Sequence, residues 1–346
     1  MVILHTADLH LKPGRDLGLA VLKWICGQAV SDRADALIIA GDLFDSDKDA
    51  TVLRPAVKKI LSAAALTVFV IPGNHDQNSF RDDYDYGPNV VQLTQRPFQA
   101  VEYKGLTIVG LPYQDRDFTE CIQDLPVAVD ILIVHGTLYD RDFMRSVVDE
   151  DKTRYLPIFP SNLENIARYV GLGHIHTRSF SKIYRQTRVV SPGSALALDT
   201  DCQTPRTYFR LVIDRHQLEA SAVVIDPAPY WQFKELFVFP GSEANVLKAI
   251  DEHLTRLDPK RVMPRVVIRG FTADPDGPFL EQVERIRAGH QSRFLACQVE
   301  PDIKSWDQIA GHPLVGNFIR RTADLEPNLK YKMYELVFPV FSDLTP

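Results

Sequence analysis

Asn74, His75 and Asp76 set an amide oxygen, an imidazole and a carboxylate side by side in the run Gly73-Asn74-His75-Asp76. The run follows Leu66 to Ile71, an apolar stretch that reads as a buried strand and is broken by Pro72-Gly73. Polar groups crowded at a strand exit are costly unless something binds there. A metal ion explains Asn74, and a reacting phosphate explains His75. Residues of the same kind recur where other apolar runs end: Asp8, His10, Asp42, His135, His174 and His176. All are oxygen or imidazole donors, with no thiolate among them. Such a set suits divalent manganese, iron or zinc and is too rich in nitrogen for calcium. It is also too large for one ion. Two ions sharing a bridging carboxylate use it economically.

Taken singly, each of these residues has a bland explanation. A lone histidine after a strand is usually a satisfied core or surface residue, and Asp8-x-His10 or Gly41-Asp42 alone is a weak signal. The run at 73–76 is stronger. So is Gly173-His174-Ile175-His176, because residues two apart in an extended segment point the same way. The conjunction of the blocks, each at a strand end, decides for a site.

The elements that carry these residues follow a simple order. Met1 to Thr6, Ala36 to Ala40 and Leu66 to Ile71 read as buried strands. Between them, Asp16 to Val30 and Thr51 to Ala65 have apolar residues at helical spacing. Phe80 to Gly87, acidic and aromatic, reads as a solvated loop. Ala100 to Tyr103, Leu106 to Leu111, Ile131 to Val134, Arg188 to Val190, Tyr208 to Ile213 and Ala220 to Ile225 read as further strands. Ser161-Asn162-Leu163-Glu164 matches a capping box that opens a short helix. Helix-linked strands early and hairpins late predict an α/β fold of two mixed β-sheets packed as a sandwich and flanked by helices. In open α/β sheets, ligands collect at the carboxyl ends of strands.

Asp226-Pro227-Ala228-Pro229 reads as a domain boundary. The expected division is residues 1–228, a small α+β domain of β-α-β-α-β order over 229–304, and a tail over 305–346. In that small domain Phe233 to Phe239, Arg265 to Phe271 and Phe294 to Val299 are the strands. Ser242 caps the first helix, and the second stops at Gly289. In the tail, Pro313 starts a short helix through Phe318 and Ile319. Tyr331 to Phe341 is apolar and aromatic, and either packs back on the body or grips a partner.

Composition narrows the function classes. The chain has 346 residues, 45% hydrophobic and 24% charged, with a net charge of −6. That balance is ordinary for a globular protein and argues against coating nucleic acid by charge alone. Cys26, Cys121, Cys202 and Cys297 are far apart and form no CxxC pair, so zinc knuckles and redox motifs are not indicated. Isolated thiols fit a reducing cytoplasmic setting. Acidic Asp8 comes too soon after the N-terminus for a signal peptide, and no apolar run is long enough to span a membrane.

The blocks Asp8-Leu9-His10, Gly41-Asp42-Leu43-Phe44-Asp45, Gly73-Asn74-His75-Asp76, His135-Gly136 and Gly173-His174-Ile175-His176 resemble the calcineurin-like binuclear metallophosphoesterase superfamily. Within it, His5 to Leu11, the Gly-Asp-Leu-Phe-Asp form of the second block, and Ser191-Pro192-Gly193-Ser194 resemble the SbcD-type DNA repair nucleases. The unit after Pro229 is similar to that family's capping domain. The resemblance implies two divalent ions, manganese foremost. It implies Asp8, His10 and His176 on one ion, Asn74, His135 and His174 on the other, and Asp42 between them. Two such ions activate a water for in-line attack on a phosphodiester. The resemblance makes His75 a catalytic residue that is not a ligand. It could stabilise the developing charge or protonate the leaving group. Asp76 either orients His75 or caps the following turn. Asp45 stands where eukaryotic relatives carry histidine, and reads as a loop carboxylate behind the ligands.

Arg141, Arg145, Lys152 and Arg154 after His135, and Arg178, Lys182, Arg185 and Arg188 after His176, could line a phosphate track. A charge run is as often a solvated face. The resemblance implies a DNA exonuclease and endonuclease acting in end or break processing, as a homodimer with an SbcC-like coiled-coil ATPase. One rival reading is a phosphatase or cyclic-nucleotide phosphodiesterase acting on a small substrate. The appended domain argues against it. A second rival, a non-catalytic DNA-binding subunit, conflicts with the complete donor set and the intact His75.

Overall fold

Strands buried on both faces cannot alternate apolar with polar residues, and the runs at 2–6, 36–40 and 67–71 do not. The computed structural model describes residues 1–81, 83–144 and 155–341. It divides into two units, Met1–Tyr230 and Trp231–Pro346.

The first unit opens with β1 (Val2–Thr6), α1 (Asp16–Ser31), β2 (Ala36–Ala40), α2 (Asp47–Ala64), β3 (Thr67–Ile71) and β4 (Val90–Gln92). It continues through β5 (Gln99–Tyr103), β6 (Leu106–Leu111), α3 (Phe118–Cys121), β7 (Ile131–His135) and α4 (Arg141–Met144). It then adds β8 (Tyr169–Gly173), β9 (Phe180–Tyr184), β10 (Thr187–Ser191), β11 (Thr207–Ile213) and β12 (Leu218–Val224). Two six-stranded sheets result, ordered β12-β11-β1-β2-β3-β4 and β5-β6-β7-β8-β10-β9. In the first, β1 to β4 run parallel and β11 pairs antiparallel with β1. In the second, β6, β7, β8 and β10 are parallel. The mixed two-sheet α/β architecture is the one expected.

Successive side chains serve different layers. Ile3, Ile38, Phe69, Ile71, Ile131 and Ile133 fill the space between the sheets. Leu4, Leu37, Ile39, Val68 and Val70 face α1 and α2 on one outer side. Leu132, Val134, Val170 and Leu172 form the other outer layer. Three apolar layers stacked through two sheets hold the parallel strand ends rigid.

Several local expectations change. Helix α2 starts at Asp47 rather than Thr51, because the Ser46 hydroxyl accepts from Asp49 N–H and acidic Asp47 and Asp49 suit the positive helix end. The segment near Ser161 is a single 3₁₀ turn, Pro160–Leu163, capped by the Asn162 side chain accepting from Phe159 N–H. Strands β4 and β9 are edge strands that lack a continuous apolar run. The loop after Phe80 is not simply solvated. Phe80 and Tyr86 are buried, stack at 5.0 Å and pack near Phe44, while the Tyr86 hydroxyl donates to Ser79 O. Asp83 and Asp85 remain outside. Asp82 lies outside the described residues.

The second unit has β13 (Tyr230–Val238), α5 (Glu243–Arg256), β14 (Val262–Thr272), α6 (Pro278–Gln291) and β15 (Gln298–Ser305), with sheet order β13-β14-β15. The third strand begins at Gln298, later than expected, and pairs parallel with β14. Phe294 and Cys297 serve instead as buried anchors in the link before it. Helix α6 runs past Gly289 to Gln291. The Ser242 hydroxyl bonds back to Phe239 O rather than capping α5. Then follow α7 (Asp307–Ala310), α8 (Pro313–Thr322) and α9 (Pro327–Phe341). These helices pack Ile309, Val315, Phe338 and Phe341 against Phe239 and Phe271, so the tail folds onto this unit. Among the described residues, no helix is long and apolar enough to cross a membrane.

Removing the buried ring at residue 80 tests the new loop assignment. Phe80→Ala should lower unfolding free energy by about 3 kcal/mol in a urea titration. A loss near zero would return the segment to a solvated loop.

Candidate metal centre

Every chemistry-bearing residue sits at the C-terminal end of a parallel strand. Asp8 and His10 follow β1, Asp42 follows β2, and Asn74, His75 and Asp76 follow β3. His135 ends β7 in the other sheet, and His174 and His176 follow β8. The loops after β1 and β2 run side by side: Asp8 N–H donates to Gly41 O and His10 N–H to Asp42 O. Asp8, His10, Asp42 and His174 all have positive φ, at 52°, 44°, 48° and 94°. Such conformations cost on the order of 1–3 kcal/mol each and persist where the surroundings over-determine them. The sheets approach closely here. A Cβ on Gly41 would lie 2.1 Å from His135 Nδ1, and one on Gly173 would lie 1.9 Å from Ala40 O.

The donors fall into groups that share Asp42. Asp8, His10, Asp42 and His176 have donor atoms within 4.8 Å of one another, and so do Asp42, His135 and His174. In the first group His10 Nε2 is 3.2 Å from His176 Nε2 and 3.6 Å from Asp42 Oδ2. In the second, Asn74 Oδ1 is 2.9 Å from His135 Nε2 and 3.2 Å from His174 Nδ1. Asp42 Oδ2 lies 3.2 Å from His135 Nε2, yet the pair is not aligned as a hydrogen bond. Asp42 Oδ1 accepts from His75 N–H. Asp8 accepts from the His174 N–H with both oxygens at 3.0 Å. The backbone of one sheet's loop is thereby tied to a carboxylate of the other.

Burial and close mutual contact set the electrostatics of these donors. Burial alone would raise the Asp42 pKa, but His135 beside it holds the carboxyl well below the usual range. Burial works against the His135 charge, and Asp42 overcomes it, lifting the imidazole to about 9. His174 is pushed down to about 3 by burial and by His135. His176 is likewise held far below its ordinary value, by burial and then His10. His174 and His176 are thus neutral and Asp42 ionised, the states that bind metal, whereas His135 would have to release a proton to an ion. His174 Nε2 and Asp42 Oδ2 are buried without a hydrogen-bond partner. A buried orphan lone pair is expensive, and a divalent cation would satisfy it. The residues fit two ions that share Asp42.

The sequence profile of the calcineurin-like phosphoesterases matches residues 1–185. The chain belongs to that family. Calcineurin-like phosphoesterases use a binuclear metal centre. The chain is 35% identical over 209 residues to the DNA double-strand break repair protein Mre11 of Aeropyrum pernix, covering 50% of this chain and 48% of that protein. It thus spans about half the length of this curated relative. Solved structures similar to it include GAP50, the anchor in the inner membrane complex of Plasmodium. That likeness has a TM-score of 0.45 and 10% identity, over 66% of this chain and 86% of the other. A dimetal phosphatase from Danio rerio gives 0.42 and 11%, over 65% and 96%.

Within this phosphoesterase, the residues around the donors take specific jobs. His75 is exposed, its ring edge-on to His10 at 4.6 Å, with Nδ1 3.0 Å from Asp45 O. The Asp45 side chain bonds His10 Nδ1 at 3.2 Å and Lys12 Nζ at 3.1 Å. Asp76 does not orient the His75 ring. Its carboxylate accepts from Gly73 N–H and Phe44 N–H, joining the loops after β2 and β3. The extended-segment argument for His174 and His176 also fails. β8 ends at Gly173, His174 turns into positive φ, and the two rings join different donor groups.

The basic clusters are only partly available. Lys182 pairs with buried Asp140 at 2.8 Å and with Asp142 at 3.3 Å, and Arg178 donates to Asp142 O. Arg185 pairs with Glu164. Arg141 is exposed on α4. Arg145, Lys152 and Arg154 lie outside the described residues. The sequence reading missed Lys12 and Tyr155, whose ring meets His174 edge-on at 5.3 Å. Lys12 was legible as the second residue after His10. Tyr155 had no local signal.

Asp76→Ala and His75→Ala separate a brace from an exposed group. Asp76→Ala leaves two amides unpaired and should cost about 2–4 kcal/mol in denaturant unfolding of metal-free protein, against less than about 0.5 for His75→Ala. Equal losses would overturn the distinction.

Proposed function

We propose that this calcineurin-like phosphoesterase is a DNA phosphodiesterase, an SbcD-type exonuclease and endonuclease acting in double-strand-break or end processing. The observation that carries the reading is an exposed, anchored histidine, His75, at the rim of a buried donor set divided about one carboxylate. The choice of DNA as substrate draws on the likeness to a DNA double-strand break repair protein.

In this reading Asp8, His10 and His176 hold one ion, Asn74, His135 and His174 hold the other, and Asp42 bridges. When bound, two divalent cations, manganese foremost, supply Lewis acidity toward a phosphate oxygen and a more acidic water. The chain's own residues do the rest. Asp45 fixes His10 through Nδ1, so that Nε2 faces the donor group. The Asp45 carbonyl accepts from His75 Nδ1–H, which leaves Nε2 outward. A proton on that Nε2 can be given to a leaving oxygen or hydrogen-bonded to a charged phosphate oxygen. Exposure of His75 suits a polymer substrate that approaches from solvent.

Arg141 and Arg178 remain candidates for holding the DNA backbone. Lys182 is a weaker one because Asp140 and Asp142 already neutralise it. We read residues 229–304 as the capping domain and 305–346 as a segment that meets an SbcC-like coiled-coil ATPase. Leu329, Leu336 and Val340 support this, since they are exposed along one side of α9. Assembly as a homodimer and a cytoplasmic setting complete the proposal.

The purified protein with manganese should cleave end-labelled duplex DNA, alone or with an ATPase partner. Cleavage of only a small bis-aryl phosphodiester would favour the small-substrate reading instead. His75→Ala should keep both ions and lose roughly 10²–10⁴-fold in turnover, whereas Asn74→Ala should lose metal occupancy. Equal metal loss in the two variants, measured by elemental analysis, would end this division of labour.

A further inference from the structure

Among the described residues Arg206 is the largest fully buried side chain, at 0% exposure, and no part of the proposed chemistry uses it. Burying a guanidinium is costly unless its donors are engaged. Its Nη1 donates to His176 O at 2.9 Å and its Nη2 to Thr177 O at 3.0 Å. Further contacts reach Thr204 Oγ1 at 3.3 Å and Ser194 Oγ at 3.5 Å. Two nitrogens of one rigid fork therefore grip consecutive carbonyls, which fixes the peptide plane between residues 176 and 177 and, through Thr177 O, the one after it.

That peptide needs holding. Residues 174–179 form no strand, and the segment starts from the positive φ of His174. No sheet ladder sets the direction of His176. The Ser191-Pro192-Gly193-Ser194 block supplies the other half of the grip. Ser194 N–H also donates to His176 O, and Gly193 (φ 73°) passes so close that a Cβ would lie 3.2 Å from that oxygen.

The grip also reaches the other sheet. Arg206 immediately precedes β11, which pairs with β1, the strand that leads to Asp8 and His10. Ala195 N–H donates to Ala7 O. The chain that clamps His176 is thus tied to the strand carrying the other donors of the same group.

We propose that Arg206 is a positioning residue that sets His176 against Asp8 and His10, and so governs one of the two ion positions selectively. The inference rests on the two-ion reading of the donor groups. Lost support behind a ligand costs about 10–100-fold in metal affinity. Arg206→Met removes the fork while keeping much of the apolar stem, and Arg206→Lys keeps the charge but can reach fewer acceptors.

The test is a manganese titration followed by calorimetry, with a second measurement on metal-free protein. Wild type should bind two ions. Arg206→Met should retain one ion near wild-type affinity and bind the other at least about 10-fold more weakly, with Arg206→Lys between them. In metal-free protein, the ring NMR signals of His176 should shift or broaden in both variants while those of His135 hold. Two ions bound by Arg206→Met with wild-type affinities, or an unchanged His176 ring, would overturn the proposal. If Arg206→Met does not fold, Arg206→Lys decides alone, and equal weakening of both ions in it counts against the positioning role. A wild type that binds no second ion would defeat the two-ion reading instead, and the His176 ring signals would still judge the clamp.

Discussion

A buried carboxylate between two sheets is the constraint on which the site depends. Asp42 has no exposure, and its surroundings are His10, His135 and the His75 amide. Such a charge survives burial only when donors converge on it. Those donors come from β1, β3 and β7, so the ends of both sheets must close on one point. The room for that closure comes from missing side chains. Gly41 and Gly173 allow approaches that a single methyl would forbid, and Gly73 faces Asp42 itself at 2.1 Å from a would-be Cβ.

The close approach forces the backbone into costly forms. Four of the donors have left-handed φ, a region that bulky residues avoid. The core beneath explains how they are kept there. The apolar layer between the sheets and the two outer layers fix the strand ends, and hydrogen bonds between loops fix what lies beyond them. Asp76 belongs to this framework. Its carboxyl is lifted to about 7 by burial and by nearby Asp42, yet it holds two amides of neighbouring loops. Asp45 has a related place nearer the surface, reaching His10 through its side chain and His75 through its carbonyl.

A gradient of exposure separates the kinds of residue. Asp8, Asp42 and His135 are fully buried, Asn74 and His176 are half-buried, and His75 is exposed. Buried donors lose mobility and solvent competition, which favours a fixed ligand set. An exposed imidazole held by one carbonyl keeps access to whatever reaches the rim. The second unit is organised differently, around aromatic packing of α8 and α9 on Phe239 and Phe271.

The sequence by itself determined the alternation of strand and helix from β1 to β3 and which polar side chains stand at the strand ends. Buried parallel strands write themselves as unbroken apolar runs, and polar residues at their ends stand out against them. Edge strands such as β9, the late start of β15 and the inward turn of Phe80 and Tyr86 were not legible, because their residues are set by neighbours distant in sequence. Only the tertiary structure decided how the donors are shared. His174 and His176 look like one pair in the chain, yet a left-handed turn sends them to different groups. Asp76 stands next to His75 but bonds to Gly73 and to Phe44 on another loop. Arg206 had no local pattern at all, since its partners are main-chain carbonyls about thirty residues away. The pattern of side chains along the sequence names which groups are present. Which atoms meet depends on backbone turns and on sheet closure, and those are properties of the whole fold.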